Sequence, residues 1–432
     1  MGSKRRTTRT ARERASCRRT TTTTGSSTRT PRTTSTATDR SCRCASSSPV
    51  RAPIARIPTS RACSYRCRRT TSDGAATGSS SARKAPTTTA TAASTRTTRA
   101  ATTNRAWPSS WAPEHVQFGA GPYPLYWPEP RAIASFIQAH PNIAAVQSFH
   151  NAGGMILRGP GTESFGEYPN EDVRVYDELG RTGEAMLPFY KYMVIWKDLY
   201  TVWGGFVNWT YEGLGIVSFT NELWNDDQYF QSAPKPVEGG EKERRWFDDK
   251  LLQRAGFVDW HPYEHPLYGK VELGGYRKDV GRVPPTFLIE EMLHRNALFC
   301  LEHAKAMPKV VLGEVVVTEL GDGVKAIDLI ARNLHAIPTR TAMAARAKTG
   351  VPDTFTLQGK GLTVLAGGVR SDRFRPERIE LQEKNPERLL RERGVGSRGE
   401  LRLRWLVRGK ADKAVVTYEG EKARKVELEI KL

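Results

Sequence analysis

Two residues of types that hold metals or carry protons fall where strands end. The apolar run Ile143 to Phe149 has strand length and stops at His150. A second run, Gly215 to Leu223, stops at Glu222. In open α/β sheets the chemistry gathers at the carboxyl ends of the strands, so an imidazole and a carboxylate at two such ends form a candidate site. Alone, either has a bland reading: a strand-end His is usually a hydrogen-bonded structural residue, and a lone Glu a solvated charge. Cysteine offers a weaker lead. Five of six, Cys17, Cys42, Cys44, Cys63 and Cys67, lie within the first 105 residues. Their spacings are not those of a zinc ribbon, no His is near, and no apolar core surrounds them, so they are read as scattered thiols.

The elements that must position His150 and Glu222 follow from periodicity. Ile133, Phe136 and Ile137 recur at helical spacing between Pro128 and Pro141. Tyr176 to Leu199 is expected to contain a long amphipathic helix, and Pro285 to Ala306 another. Trp107 to Glu129 reads as an ordered loop. Residues 104–308 thus alternate helix and strand, which predicts an α/β domain with a mixed sheet. After Pro308 the pattern becomes β-rich: Val310 to Glu319, Gly323 to Asn333, Thr354 to Leu365, Glu400 to Val407 and Ala414 to Leu432. Short strands at this spacing predict a sandwich-like all-β domain over 309–432. His335, near a turn there, is read as structural.

The first 103 residues differ in kind. The chain of 432 residues has a formal net charge of +20, and residues 1–105 carry all of it, with 23 Lys and Arg against 3 Asp and Glu. The remainder is balanced at 43 of each sign, which disfavours nucleic acid as partner of the folded part. Residues 1–105 contain no Leu, Phe, Trp or His, and are expected to be disordered because they cannot bury a core. Two origins stay open. One is a GC-rich gene translated out of frame: one base earlier, Thr87 to Thr97 can be read as an acidic Asp/Asn/Gly run. The other is a genuine basic tail that touches nucleic acid non-specifically. No signal peptide is expected at this N-terminus, no run is long and apolar enough for a membrane span, and the compartment is left open.

Five short motifs then stand in one order: Asn104-Arg105, Ser148-Phe149-His150, Tyr200, Asn208-Trp209-Thr210-Tyr211 and Phe219-Thr220-Asn221-Glu222-Leu223. Together they resemble the zinc carboxypeptidase family of carboxypeptidase A type. His150-Asn-Ala-Gly-Gly, and Trp260-His261-Pro262 through Val271-Glu272-Leu273-Gly274-Gly275, are similar to a bacterial branch of it. The resemblance implies hydrolysis of C-terminal peptide bonds by metal-activated water. It implies zinc as cofactor, a peptide or protein C-terminus as substrate, and a family that is often exported. By it, His150 is a zinc ligand, Glu222 the general base, Asn104 and Arg105 the holders of the terminal carboxylate, and Tyr200 the cap over the substrate. The Asn-Trp-Thr-Tyr segment is expected to be a turn.

One part of the pattern is missing. The family's other two ligands come from a His-x-x-Glu upstream of Asn-Arg, and residues 1–105 hold no His; the family's upstream oxyanion Arg is not found either. His261-Pro262-Tyr263-Glu264 fits the letters but lies downstream and begins with His-Pro, which suits a turn. It is read as structural. The domain is therefore expected to be incomplete and this chain inactive. A non-catalytic peptide- or glycan-binding module remains the alternative, beside a basic-tailed nucleic-acid-associated protein.

Overall fold

The computed structural model describes residues 103–225, 247–266, 268–277, 280, 282–370, 375 and 378–432. The expected disorder of residues 1–103, the five N-terminal cysteines and any nucleic-acid contact of the basic segment lie outside it, save for Thr103.

Helix α1, Pro128–Ala139, starts on two prolines whose missing N–H groups would have had no helical partner, and stops before Pro141. Strand β1, Ala145–Asn151, follows. After β2, Met155–Arg158, comes helix α2, Asn170–Met186. This is the first departure from the expected pattern. The helix lies earlier than Tyr176 to Leu199, because Pro188 bars its continuation. The apolar residues beyond form a strand, β3 at Lys191–Val194, and a single wide turn at Ile195–Leu199. Helix α3, Phe206–Glu212, carries Asn208-Trp209-Thr210-Tyr211, which are thus helical where a turn was expected. Strand β4 is Val217–Leu223.

Among the described residues these strands form a four-stranded sheet in the order β1-β4-β2-β3. Strand β4 runs parallel to β1 and antiparallel to β2, so the sheet is mixed. Val217 and Phe219 of β4 are fully buried against Tyr176, Tyr211 and Phe299. Phe299 comes from helix α4, Thr286–Lys305.

Between β4 and α4 stands a two-stranded ribbon, β5 at Phe257–His265 and β6 at Gly269–Tyr276. His261 and Pro262 lie inside β5, facing Leu273 and Glu272, and not in the expected turn. Proline is tolerated because, among the described residues, β5 pairs with β6 alone.

The C-terminal part is a sandwich of two sheets. One holds β7 (Val310–Gly321), β8 (Val324–Asn333), β10 (Leu362–Arg370), β11 (Glu380–Leu381) and β13 (Glu400–Gly409). The other holds β9 (Asp353–Gln358), β12 (Arg388–Arg391), β14 (Lys413–Glu419) and β15 (Val426–Lys431). Two runs read as single units, Thr354 to Leu365 and Ala414 to Leu432, each split into two strands at glycine-containing turns. Ile327, Phe355, Leu403, Trp405 and Val416 fill the core between the sheets. No helix among the described residues is long and apolar enough to cross a membrane.

The short helix α5, Ala342–Ala347, joins sandwich to sheet. Asp172, in the first turn of α2, accepts hydrogen bonds from the backbone N–H groups of Ala342 and Met343, at 3.0 and 2.9 Å, and from the Tyr211 hydroxyl at 2.6 Å. Thr341 donates to the Gly215 carbonyl, next to β4. Lys422 donates to the Ile143 carbonyl, just before β1, at 2.9 Å.

Candidate active-site cleft

Parallel pairing of β1 and β4 puts His150 directly opposite Glu222. Both stand one residue before the carboxyl end of their strand. His150 Nδ1 is 3.8 Å from Glu222 Oε1, with side chains 33% and 16% exposed. Asn104 and Arg105 reach the same place from a 3-10 turn, Thr103–Arg105. Trp107 N–H bonds to the Gly204 carbonyl at 3.1 Å and stacks on Trp209, which ties this turn to α3. Gly204 has φ +61°, and a Cβ there would collide with the Arg105 carbonyl oxygen; only glycine lets the two segments approach so closely. Tyr200 follows the wide turn after β3, its ring half exposed at the rim.

Asn104, Arg105, His150, Tyr200 and Glu222 thus line one small open cleft. Its remaining walls are mostly apolar: Leu157, Ile195, Leu199, Val202, Phe206 and Val207, with Thr220. The Asn104 side chain is engaged on both atoms. Its Oδ1 accepts the Phe206 N–H at 2.9 Å, and its Nδ2 lies 3.4 Å from His150 Nε2.

Burial and then the Arg105 charge both push the His150 pKa below 6.5, which favours the neutral ring. Burial pushes the Glu222 carboxyl above its ordinary range, and Arg105 and Arg282 pull it back. Arg282 went unnoticed in the sequence, where it is one Arg in a Gly-Arg-Val stretch with no motif around it. Its place is set by the fold: the Asn151 side chain, next to His150, donates to the Arg282 carbonyl at 3.0 Å.

Glu212, at the end of α3, was also missed. It is buried, and accepts from the Ser109 and Tyr168 hydroxyls. Burial raises its pKa to about 7, against the lowering effect of those two bonds. A carboxyl whose folded pKa is raised holds its proton more tightly folded than unfolded. Its contribution to stability is complete below about pH 4.5 and is lost as pH rises through about 7. The thermal midpoint is therefore expected to fall between pH 5 and 8 relative to that of Glu212→Gln, which carries no such proton. Parallel midpoint-against-pH curves for the two proteins would refute this.

A catalytic zinc needs three protein ligands. Among the described residues no group of three or more His, Cys, Asp and Glu side chains could hold a metal ion. The sequence has eight histidines, all described, and only His150 lines the cleft. His303 is buried beside Phe219 and bonded to Gln147. His140 and His335 bond to the Phe136 and Met307 carbonyls. His261 and His265 belong to the ribbon, and His115 and His294 are exposed on a loop and on α4.

Comparison with known proteins covers the same stretch. The sequence profile of the zinc carboxypeptidase family matches residues 70–242. Residues 309–431 match a domain of unknown function, DUF8731. No curated protein matches the chain. Solved structures similar to part of it include thrombin activatable fibrinolysis inhibitor, at 26% identity, covering 29% of this chain and 34% of that one, TM-score 0.25. Carboxypeptidase A from Helicoverpa armigera is 24% identical, covering 35% and 41%, TM-score 0.25. The bovine form of the fibrinolysis inhibitor, in complex with tick carboxypeptidase inhibitor, is 24% identical, covering 29% and 46%, TM-score 0.25. This chain thus spans less than half of each of those three chains. Over residues 70–242 the chain is thus similar to the zinc carboxypeptidase family.

Proposed function

We propose that the cleft recognises the free C-terminus of a peptide or protein, and that this chain holds it without hydrolysing it. The observation that carries the reading is the meeting of Arg105, Tyr200 and Glu222 on one cleft. A guanidinium matches a carboxylate with two parallel hydrogen bonds, so Arg105 takes the terminal carboxylate. Asn104 has a second amide N–H for the same group. Tyr200 closes over the bound end from the rim. By the motif resemblance, Glu222 would take the part of the family's general base. With His150 as the sole imidazole in the cleft, the family's zinc is not retained and turnover stays at background.

Three measurements on the full chain test this. A labelled peptide ending in Leu should bind, and its C-terminal amide should bind at least tenfold more weakly. Metal analysis after purification should give far less than one zinc per chain. Release of C-terminal residues should stay at background, and Glu222→Gln should not change it. Equal binding of acid and amide would sink the recognition reading. One-to-one zinc with turnover would sink the inactivity reading, and would direct attention to His261 and Glu264 as recruited ligands.

A further inference from the structure

The two atoms of the Asn104 amide have different partners, and this decides the chemistry of His150. Backbone N–H groups only donate, so the atom facing the Phe206 N–H must be the amide oxygen. Phe206 opens α3, and its N–H has no partner inside the helix; Asn104 satisfies it from a distant part of the chain. Reversing the amide would set NH₂ against N–H and leave both unsatisfied. The amide nitrogen therefore faces His150, and it too can only donate. A neutral imidazole has one donor nitrogen and one acceptor. Nε2, facing the amide, must be the acceptor, and the proton must sit on Nδ1. From there it faces Glu222 Oε1, 3.8 Å away.

We propose that Asn104 is a positioning residue that fixes His150 as its Nδ1–H tautomer, so that the ring nitrogen nearer Glu222 carries a proton and offers no lone pair to a metal. Neither ring nitrogen keeps an outward lone pair: that of Nε2 meets Asn104, and Nδ1 carries the proton. This accounts for a family-type histidine in a cleft without a family-type ligand set. It concerns the same cleft as the carboxylate reading but stands on different contacts.

The test is nitrogen NMR of the full chain with ¹⁵N-labelled histidine, at a pH where His150 is neutral. The signal is assigned by its loss in His150→Gln. The wild type should show Nδ1 protonated and Nε2 bare, and added zinc should leave both shifts in place. Asn104→Asp keeps an oxygen for the Phe206 N–H but presents a second acceptor to the ring. It should invert the tautomer to Nε2–H, with the amide signals of α3 unmoved. Asn104→Ala should give a mixture. A wild-type ring protonated on Nε2 overturns the proposal. So does an Asn104→Asp protein with intact α3 and an unchanged tautomer, or a wild-type ring whose shifts move on adding one equivalent of zinc. Peptide binding on the same samples separates the two ideas: acid-over-amide preference with the wrong tautomer defeats this inference alone.

Discussion

Arg105→Gln should weaken binding of a peptide with a free C-terminal carboxylate by roughly ten- to a hundredfold, and leave binding of the corresponding amide nearly unchanged. Hydrogen bonds to charged groups contribute about 1.5–3 kcal/mol, and each 1.4 kcal/mol is about tenfold in affinity. The glutamine keeps the stem and one amide, so the turn at Thr103–Arg105 and the packing of Trp107 should persist. The amide peptide is the control for shape, because it meets the same walls without the charge. The measurement is fluorescence anisotropy of both peptides against both proteins. A loss shared equally by acid and amide would mean that Arg105 builds the cleft and does not read the ligand. High salt should weaken the acid's advantage only in part, since Arg105 lines a cleft and is only partly exposed.

Asp172→Ala should have the largest effect on stability, several kcal/mol, since each buried donor left unsatisfied costs roughly 1–3 kcal/mol. Asp172 is 1% exposed and serves three donors at once. Burial pushes its pKa up, and the bonds from Tyr211, Ala342 and Met343 pull it down. Removing the carboxylate strands the buried Tyr211 phenol and the Met343 N–H, and the half-buried Ala342 N–H, at the start of α5. The urea midpoint should fall with little change in slope. Asp172→Asn should lose less, because one oxygen still accepts, although its NH₂ then meets a donor. A loss under about 1 kcal/mol for the alanine variant would show that the junction is held mainly by its apolar contacts.

How much of this was visible in the residues depends on how local each signal is. The α1 and α4 helices and the β1 and β4 strands were readable because their apolar residues recur with one period and prolines or polar residues bound them. The stretch around Tyr192, Ile195 and Leu199 was misread because three- and four-residue spacing mimics a helix. What decides it is the edge of β2, which captures Lys191–Val194, a contact that no local pattern encodes. His261-Pro262 failed for a similar reason: Pro suits a turn in isolation, yet a strand paired, among the described residues, on one side only accepts it. In the cleft, Asn104, Arg105, His150, Tyr200 and Glu222 were picked out by the family-like order of motifs, and the fold brings them to one place. Arg282 and Glu212 were not, because one depends on a hydrogen bond from Asn151 and the other on burial between Ser109 and Tyr168. The engagement of Asn104 with Phe206 was equally hidden, being a long-range cap.

The pairing of β1 with β4 has a consequence in time. His150 and Glu222 lie about 70 residues apart along the chain and meet only through a parallel register, which cannot zip up from a hairpin turn. Before any contact rewards it, the chain must close that long loop, at an entropic expense growing as about (3/2)RT ln n. Helices α2 and α3, with their short-range contacts, have no such wait. After dilution from denaturant, helical signal should therefore recover ahead of the capacity to bind a peptide C-terminus. A nascent chain emerging from the ribosome would remain without a working cleft until residues beyond Leu223 had been made.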